Sequence, residues 1–550
     1  MQRVLYFVIF VVFLLGQLDS RQAAKAVDWW ENTIIYQIYP RSFKDSNGDG
    51  LGDLNGIYEK LDYLKEIGVG TVWIQPFYKS PMVDMGYDIA DFRAVDPIFG
   101  TIDDFKRLVQ GIHERGMKVI LDFVPNHTSD TCEWFKLSER RIKPYTDFYV
   151  WQDPKPFNTS HWTYPNNWRS MFADSAWTWS EVRKQYYYHE FAKQQIDVNY
   201  RDPHAQKEMQ RLEILAGYGV DGFRVDAVEY LYEASHLMDE PLREDFDGDK
   251  SSWEALSHIY TIDQPENAEL IQSWRALLDE YALKDGQARL LCTESFKPPE
   301  ILKPLLGNDT HPGAQIPFYN RMAKIKFGAN ARTLDMYIRN MTDVFPARSY
   351  NWARDNHDNP RMTSQFYHES KDSWNMLLLL LPGVPTIYYG DELAMLDSNV
   401  RQDQEQDPQK KGSFRNKPRD GCRAPMLWDD TKNAGFTTAK KPWLPVHPNY
   451  YHTNVEAQRR DPDSHLNIFK RLVDLRRTTV YLHVSSGVVL QLLKSVKSNV
   501  GLTGVILVKK RRRSVLSILP HIYRILCLSI QGVSILALKL GKYIHFIVFF

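Results

Sequence analysis

The sequence predicts an α/β fold in which eight parallel strands, each followed by a helix, close into a (β/α)8 barrel. Three observations predict it. Short apolar, β-rich runs at residues 34–39, 71–75 and 118–124 alternate with helical patterns at 57–67 and 103–115, which makes a βαβ series. Five further runs, opening near Gly222, Leu290, Gln315, Asn351 and Val384, bring the strands to eight. At 550 residues the chain is too long for one ordinary core, and a barrel with insertions and a small extra domain accounts for the length.

Taken in order, the chain begins with Arg3, an apolar run over residues 4–15 and an Ala-x-Ala pattern at Ala24–Ala26, the layout of a secretory signal peptide over residues 1–26. That run falls short of the roughly 20 apolar residues of a membrane span, which disfavours a signal anchor. The barrel opens over residues 27–126. Behind its first strand, DSNGDGLGD sets side-chain oxygens of Asp45, Asn47, Asp49 and Asp53 at alternate positions, with glycines between them. Together with the Leu51 carbonyl these can wrap a hard structural cation, Ca2+ or Mg2+; the alternative is an ion-free Asn-Gly-Asp-Gly turn. After DFVPNH (122–127) the alternation stops over residues 127–195, which are dense in Trp, Tyr, Pro and Asn. An interruption this long predicts an inserted subdomain carrying function. The barrel resumes over residues 196–464, with a helical pattern at 203–218 leading into the strand at Gly222. Arg354 and Asp355 put a charged pair at a strand position that must accommodate it or lose stability.

Residues 465–550 read as a C-terminal β domain that is divergent or truncated. From Leu475 onward there is no Asp or Glu, and the stretch ends in alternating basic and apolar blocks. Besides the divergent domain, a frameshifted or mis-spliced segment and a membrane-associating tail account for it; Lys539, Lys542 and His545 interrupt the last apolar block and weigh against an anchor.

The chemistry concentrates in three acidic residues at strand-to-loop junctions: Asp226 in GFRVDAVEY, Glu294 in LLCTESF and Asp358 in NHDNPR. At the C-terminal ends of different parallel strands they would converge on one pocket. A glycosidic bond breaks through an oxocarbenium-like transition state, so its cleavage needs one carboxylate at the anomeric carbon and one acid to protonate the leaving oxygen. A third carboxylate would hold sugar hydroxyls.

These segments resemble the α-amylase family, glycoside hydrolase family thirteen, and within it the α-glucosidases and maltases, most closely the secreted insect maltases. DFVPNH (122–127), GFRVDA (222–227), TESF (293–296) and NHDNPR (356–361) stand in the family's order and separations. GYDIADF (86–92), QQIDVN (194–199), GVPTIYYGDE (383–392) and RDGCRAPMLW (419–428) extend the likeness over residues 28–480. The resemblance implies a TIM barrel with the insertion as domain B, leaning over the site, and the metal loop of the oligo-glucosidase branch. It makes Asp226 the nucleophile, held ionised by Arg224 two residues earlier, and Glu294 the general acid and then base. Asp358 would grip the glucose 2- and 3-hydroxyls, and His127 and His357 would donate to sugar hydroxyls. Tyr87 and Asp88 resemble the stacking aromatic and hydroxyl clamp for the non-reducing glucose, and Arg423 the arginine that closes the pocket. Asp122 and Asn126 would hold loop geometry, and Ala227 leans toward α-1,4 linkages. A closed pocket implies exo action on maltose, sucrose and short oligosaccharides. A transglucosylase keeps the same motifs, whereas a non-catalytic membrane ectodomain of the transporter heavy-chain type would lose the carboxylates.

Composition excludes some partners. Lys plus Arg equals Asp plus Glu at 68 each, so no basic field recruits nucleic acid, and the basic run at 509–513 is isolated. Cys132, Cys292, Cys422 and Cys527 have neither metal-ligand spacing nor the number for a disulfide scaffold; Cys292 reads as a small buried hydrophobe. In an exported chain the sequons at Asn158, Asn308 and Asn340 become candidate glycan sites, while Asn126 is discounted because it lies in DFVPNH.

Overall fold

In the computed structural model eight strands form one sheet: β1 (Ile35–Ile38), β2 (Thr71–Ile74), β3 (Lys118–Phe123), β4 (Gly222–Val225), β5 (Leu290–Ser295), β6 (Ile316–Tyr319), β7 (Asn351–Ala353) and β8 (Val384–Tyr388). The structure describes residues 28–158, 161–172, 174–210, 217–366, 370–408 and 418–478, and the backbone of five strands between 488 and 549. The strand order is β6-β5-β4-β3-β2-β1-β8-β7 and every pairing is parallel. β6 and β7 lie side by side without a hydrogen-bonded ladder, so the barrel is nearly closed.

Alternation along the strands builds two apolar layers. Ile35, Trp73, Ile120, Leu290, Cys292, Phe318 and Val384 belong to one buried cluster, in which the rings of Trp73 on β2 and Phe318 on β6 meet at 5.2 Å across the barrel. The intervening Tyr36, Val72, Val119, Phe223, Leu291 and Ile387 join the larger core shared with the helices. Burial on both faces is why these strands read as continuous apolar runs. Gly222 permits the base to close, because a Cβ there would lie 2.2 Å from the Leu290 carbonyl oxygen.

The pattern at 57–67 folds as two short helices, Leu54–Glu59 and Leu61–Glu66, broken where Lys60 leaves helical geometry at ψ 8°. The helix Ile102–Glu114 starts from a Thr101–Asp104 capping box and buries Phe105, Leu108, Val109 and Ile112, spaced three and four apart. Within the insertion, Trp151–Gln152, Gln185–Tyr188 and Trp177–Ser180 make a small antiparallel sheet around Trp168, Trp177 and Tyr188. His127–Ser129 pairs with Gln195–Asp197, which joins the two ends of the insertion to each other.

β7 stops at Ala353, so the charged pair after it lies beyond the strand. Asp355 accepts from the Met362 N–H at 3.0 Å and lies 3.4 Å from Lys371, while Arg354 donates to the Ile325 carbonyl at 3.3 Å and sits over the Phe366 and Trp374 rings. The pair is thereby accommodated inside the protein.

The helix His465–Thr478 packs on Lys371–Leu380 and sends Arg476 to the carbonyls of Leu379 and Leu381 at 2.7 and 3.0 Å, and to that of Gly383. Beyond it the acid-free stretch forms one antiparallel sheet in the order Val488–Ser498, Gly501–Lys510, Tyr543–Phe549, Val533–Leu540, Leu526–Ile530. Among the described residues no helix is long and apolar enough to cross a membrane. The segment read as a signal peptide lies outside the described residues.

Candidate active site

On β4 the inward face runs Gly222, Arg224, Asp226, from the base of the barrel to its mouth. The register sets Arg224 beside Asp122 on β3 and Cys292 on β5, one step below Glu294. Arg224 is almost fully buried, and its Nη1 meets Asp122 at 2.7 Å and Asp226 at 2.5 Å while Nη2 meets Glu294 at 2.6 Å. The Trp73 ring lies 5.1 Å beneath the guanidinium. The Asp226 N–H donates to the Phe123 carbonyl at 2.8 Å, which anchors the strand end to β3.

Electrostatics separates the two carboxylates. Burial pushes Asp226 up to about 6, Arg224 pulls it back, and the negative charge of Asp122 raises it further. Burial pushes Glu294 up to about 8; Arg224 opposes the rise, and the charges of Asp226 and Asp358 add to it. Glu294 is thereby raised further than Asp226 and keeps its proton to higher pH.

Asp358 sits on the loop after β7, its side chain 27% exposed. Burial works against its charge, but His357, Arg419 and Arg423 outweigh it and hold the carboxyl well below the usual range. Arg419 reaches Asp358 at 3.0 Å and Arg423 reaches it at 3.1 Å. His357 lies against Asp358 through Nε2 at 3.3 Å and meets the Gln37 amide through Nδ1 at 3.0 Å. Tyr87 stacks on the His357 ring, 5.3 Å between centroids and 6° between planes, and its hydroxyl donates to Asp122 at 3.1 Å. The structure thus brings Tyr87, Arg224, Asp226, Glu294, His357 and Asp358 into one connected array. His127 joins its edge: Nε2 faces the Tyr87 carbonyl at 3.1 Å, and burial lowers its pKa to about 4, so the ring is neutral.

Two of the expected residues lie behind others that face the site more directly. Asp88 is fully buried and accepts from the N–H groups of Val83 and Asp84 at 2.8 and 2.9 Å and from the Ser80 hydroxyl at 3.0 Å, so it shapes a loop. The residue beside the site is Asp84, bonded to Arg419 at 2.8 Å. Arg423 is fully buried behind Asp358 and donates to the His357 carbonyl at 2.8 Å; the arginine that spans Asp84 and Asp358 is Arg419, itself anchored on Asp407 at 2.8 Å. Sequence reasoning missed Asp84 and Arg419, although both lie within motifs it quoted or next to them.

In the loop after β1, Asp45, Asn47 and Asp49 each accept an N–H two residues on, from Asn47, Asp49 and Leu51 at 3.0, 2.9 and 2.8 Å. Asp45 also takes the N–H groups of Gly48 and Gly50 and the Thr437 hydroxyl, and Asp53 takes Ser46 and Gly56. Gly48 and Gly50 hold φ of 81° and 98°, which the turn requires. The loop is complete in hydrogen bonds, and among the described residues no three acidic, His or Cys side chains gather as an ion cage.

Of the sequons, Asn308 is exposed in a turn, its side chain accepting from the Thr310 N–H at 2.9 Å. Asn340 is half-buried within the helix Ala331–Thr342, beside the Tyr319 hydroxyl. The residues Thr159 and Ser160 that complete the Asn158 sequon lie outside the described residues. Cys132, Cys292 and Cys422 are buried and unbridged.

Two buried carboxyl groups with unequal affinity for a proton, sharing one guanidinium at the strand ends of such a barrel, are what cleavage of a glycosidic bond demands, and they place the chain among the glycoside hydrolases. The model of the α-amylase catalytic domain matches residues 37–484. The chain belongs to the α-amylase family. It is 43% identical over 466 residues to Maltase 1 of Drosophila virilis, covering 82% of this chain and 73% of that one. Salivary alpha-glucosidase of Aedes aegypti is 42% identical, covering 86% and 83%. An amino acid transporter heavy chain of Homo sapiens is 38% identical, covering 84% and 66%. Among solved structures, the α-glucosyl transfer enzyme XgtA superposes with a TM-score of 0.79 at 31% identity, covering 95% and 100%.

Proposed function

We propose that this glycoside hydrolase is a secreted, exo-acting α-glucosidase of the maltase type. It would release terminal non-reducing α-1,4-linked glucose from maltose, sucrose and short oligosaccharides with retention of configuration. One observation carries the reading: a single guanidinium holds Asp226 on one nitrogen and Glu294 on the other. That shared contact supports the roughly 5 to 5.5 Å separation that retaining hydrolases use.

Ionised Asp226 attacks the anomeric carbon while Glu294 delivers its proton to the leaving oxygen, giving a covalent glucosyl enzyme. Glu294, now deprotonated, takes a proton from water as it attacks, and free Asp226 returns. Asp358, held ionised by two arginines, grips hydroxyls as the ring flattens. The Arg419 bridge from Asp84 to Asp358 supports a pocket closed at one end, hence exo action. The names of the insect relatives support an α-glucoside as substrate, and the salivary relative supports export.

Incubation with maltose, sucrose and isomaltose, followed by proton NMR, tests the reading. The expected result is fast release of glucose from maltose, and from sucrose a glucose that is initially the α-anomer. Glucose released from sucrose initially as the β-anomer would overturn the retaining mechanism, and transfer of glucose to a second sugar in preference to water would favour the transglucosylase that the likeness to XgtA represents. No cleavage by a folded chain would favour the non-catalytic reading that the transporter heavy chain represents.

A structural Ca2+ or Mg2+ at the loop of Asp45, Asn47, Asp49, Leu51 and Asp53 belongs to the proposal as well, as a stabilising ion with no part in the chemistry. Added Ca2+ should raise the melting temperature of chelator-treated protein by several degrees, in proportion to ligand linkage. An unchanged melting temperature would leave the loop as a hydrogen-bonded turn.

A further inference from the structure

Glu229 lies three residues beyond Asp226, is buried, and spends its carboxylate on the end of β5. Its Oε1 accepts from the Ser295 hydroxyl and from the Phe296 N–H at 3.1 Å, the two residues directly after Glu294. Its Oε2 lies 3.6 Å from Lys297 Nζ. Lys297 in turn meets Asp263 at 2.9 Å, and the Asp263 N–H donates to the Glu229 carbonyl at 2.8 Å. The contacts close a ring that runs from the loop after β4 to the loop after β5 and back. Asn267 stiffens it by donating to the carbonyls of Val228 and Glu229 at 3.0 and 3.2 Å.

Between Asp226 and Glu229 the backbone turns sharply. Ala227 holds φ 52° and ψ 38°, a left-handed conformation uncommon for alanine, and its N–H faces Glu294 Oε2 at 3.4 Å. A turn of this kind persists where its surroundings enforce it. The Glu229 ring is the enforcing structure on the far side, while Arg224 draws both carboxylates together from within the barrel.

We infer that Glu229 is a positioning residue which, by tying the end of β5 to the loop after β4, sets the Glu294 carboxyl at its working distance from Asp226. This rests on Glu294 being the acid and base of the proposed mechanism. Glu229 itself touches no reacting atom. A displacement of about 1 Å at a catalytic group lowers rate about 100-fold.

Leaving-group dependence separates positioning from general structural support. Cleavage of maltose needs a proton on the leaving oxygen, whereas 4-nitrophenol departs with little protonation. Glu229→Ala should therefore lower kcat/KM on maltose about 100-fold but on 4-nitrophenyl α-glucoside less than about 5-fold. Glu229→Gln, whose carbonyl oxygen still accepts from Ser295 and Phe296, should recover most of the maltose activity. Lys297→Met, at the partly exposed edge of the ring, should show the same asymmetry more weakly and serves if Glu229→Ala does not fold. Equal losses on both substrates, or none on either, would overturn the inference. Glu294→Gln run alongside must itself show the asymmetry; if it does not, the assignment of Glu294 fails and the positioning argument falls with it for that separate reason.

Discussion

Asp226→Asn is expected to lower glucose release from maltose by about 10⁴-fold or more, in line with removal of a nucleophile from a group that acts as a unit. The amide is close in shape but cannot form the glucosyl ester. Arg224 keeps Asp122 and Glu294 as partners after the change, so the folded state should survive, and a melting curve near wild type would confirm it. Residual activity above a few per cent would remove Asp226 from the nucleophile's role. The same pair sets the pH dependence of the unaltered enzyme. The proposed mechanism needs Asp226 without its proton and Glu294 with one, so kcat/KM should rise through about pH 6 and fall through about pH 8. A profile still level at pH 10 would mean that no proton on Glu294 is needed.

Arg224→Met is expected to abolish activity and to destabilise the fold by about 3–5 kcal/mol, the usual result of removing one partner from a buried ion pair. Asp122, Asp226 and Glu294 would lose their shared counter-charge in a site where Arg224 is 1% exposed. Burial would then raise all three carboxyls without opposition, and Asp226 would be protonated and inert at neutral pH. Arg224→Lys should restore part of the stability but little activity, because one ammonium cannot reproduce a fork that serves two carboxylates on separate nitrogens. Urea denaturation of both variants, read beside activity, checks this. A stable Arg224→Met enzyme would show that the three carboxyls tolerate one another as neutral acids.

The barrel was legible because its determinants are local. Each strand needs only an apolar run of the right length between turn signals, and Asp226, Glu294 and Asp358 each sit at the end of such a run or in the loop that follows it. What was not legible lies where side chains meet across the fold. Asp88 follows Tyr87 directly and looked suited to a clamp, but amides only four and five residues away capture its carboxylate. Asp84 reaches Arg419 across 335 positions of sequence, and no local pattern announces that meeting. Arg419 and Arg423 stand four residues apart in one motif. The choice between them depends on Asp407 anchoring the first and the His357 carbonyl capturing the second.

The sequence by itself determined the eight strands, the insertion after the third and the three acidic residues at strand ends, since alternation and turn chemistry act over a few residues. Tertiary structure alone decided that Arg224 is shared by three carboxylates, that Arg419 joins Asp84 to Asp358 and that Glu229 accepts from Ser295 and Phe296 at the end of β5. It also decided that Glu294 is raised further than Asp226, because a carboxyl's affinity for its proton follows from the burial and the charges that the barrel imposes on it.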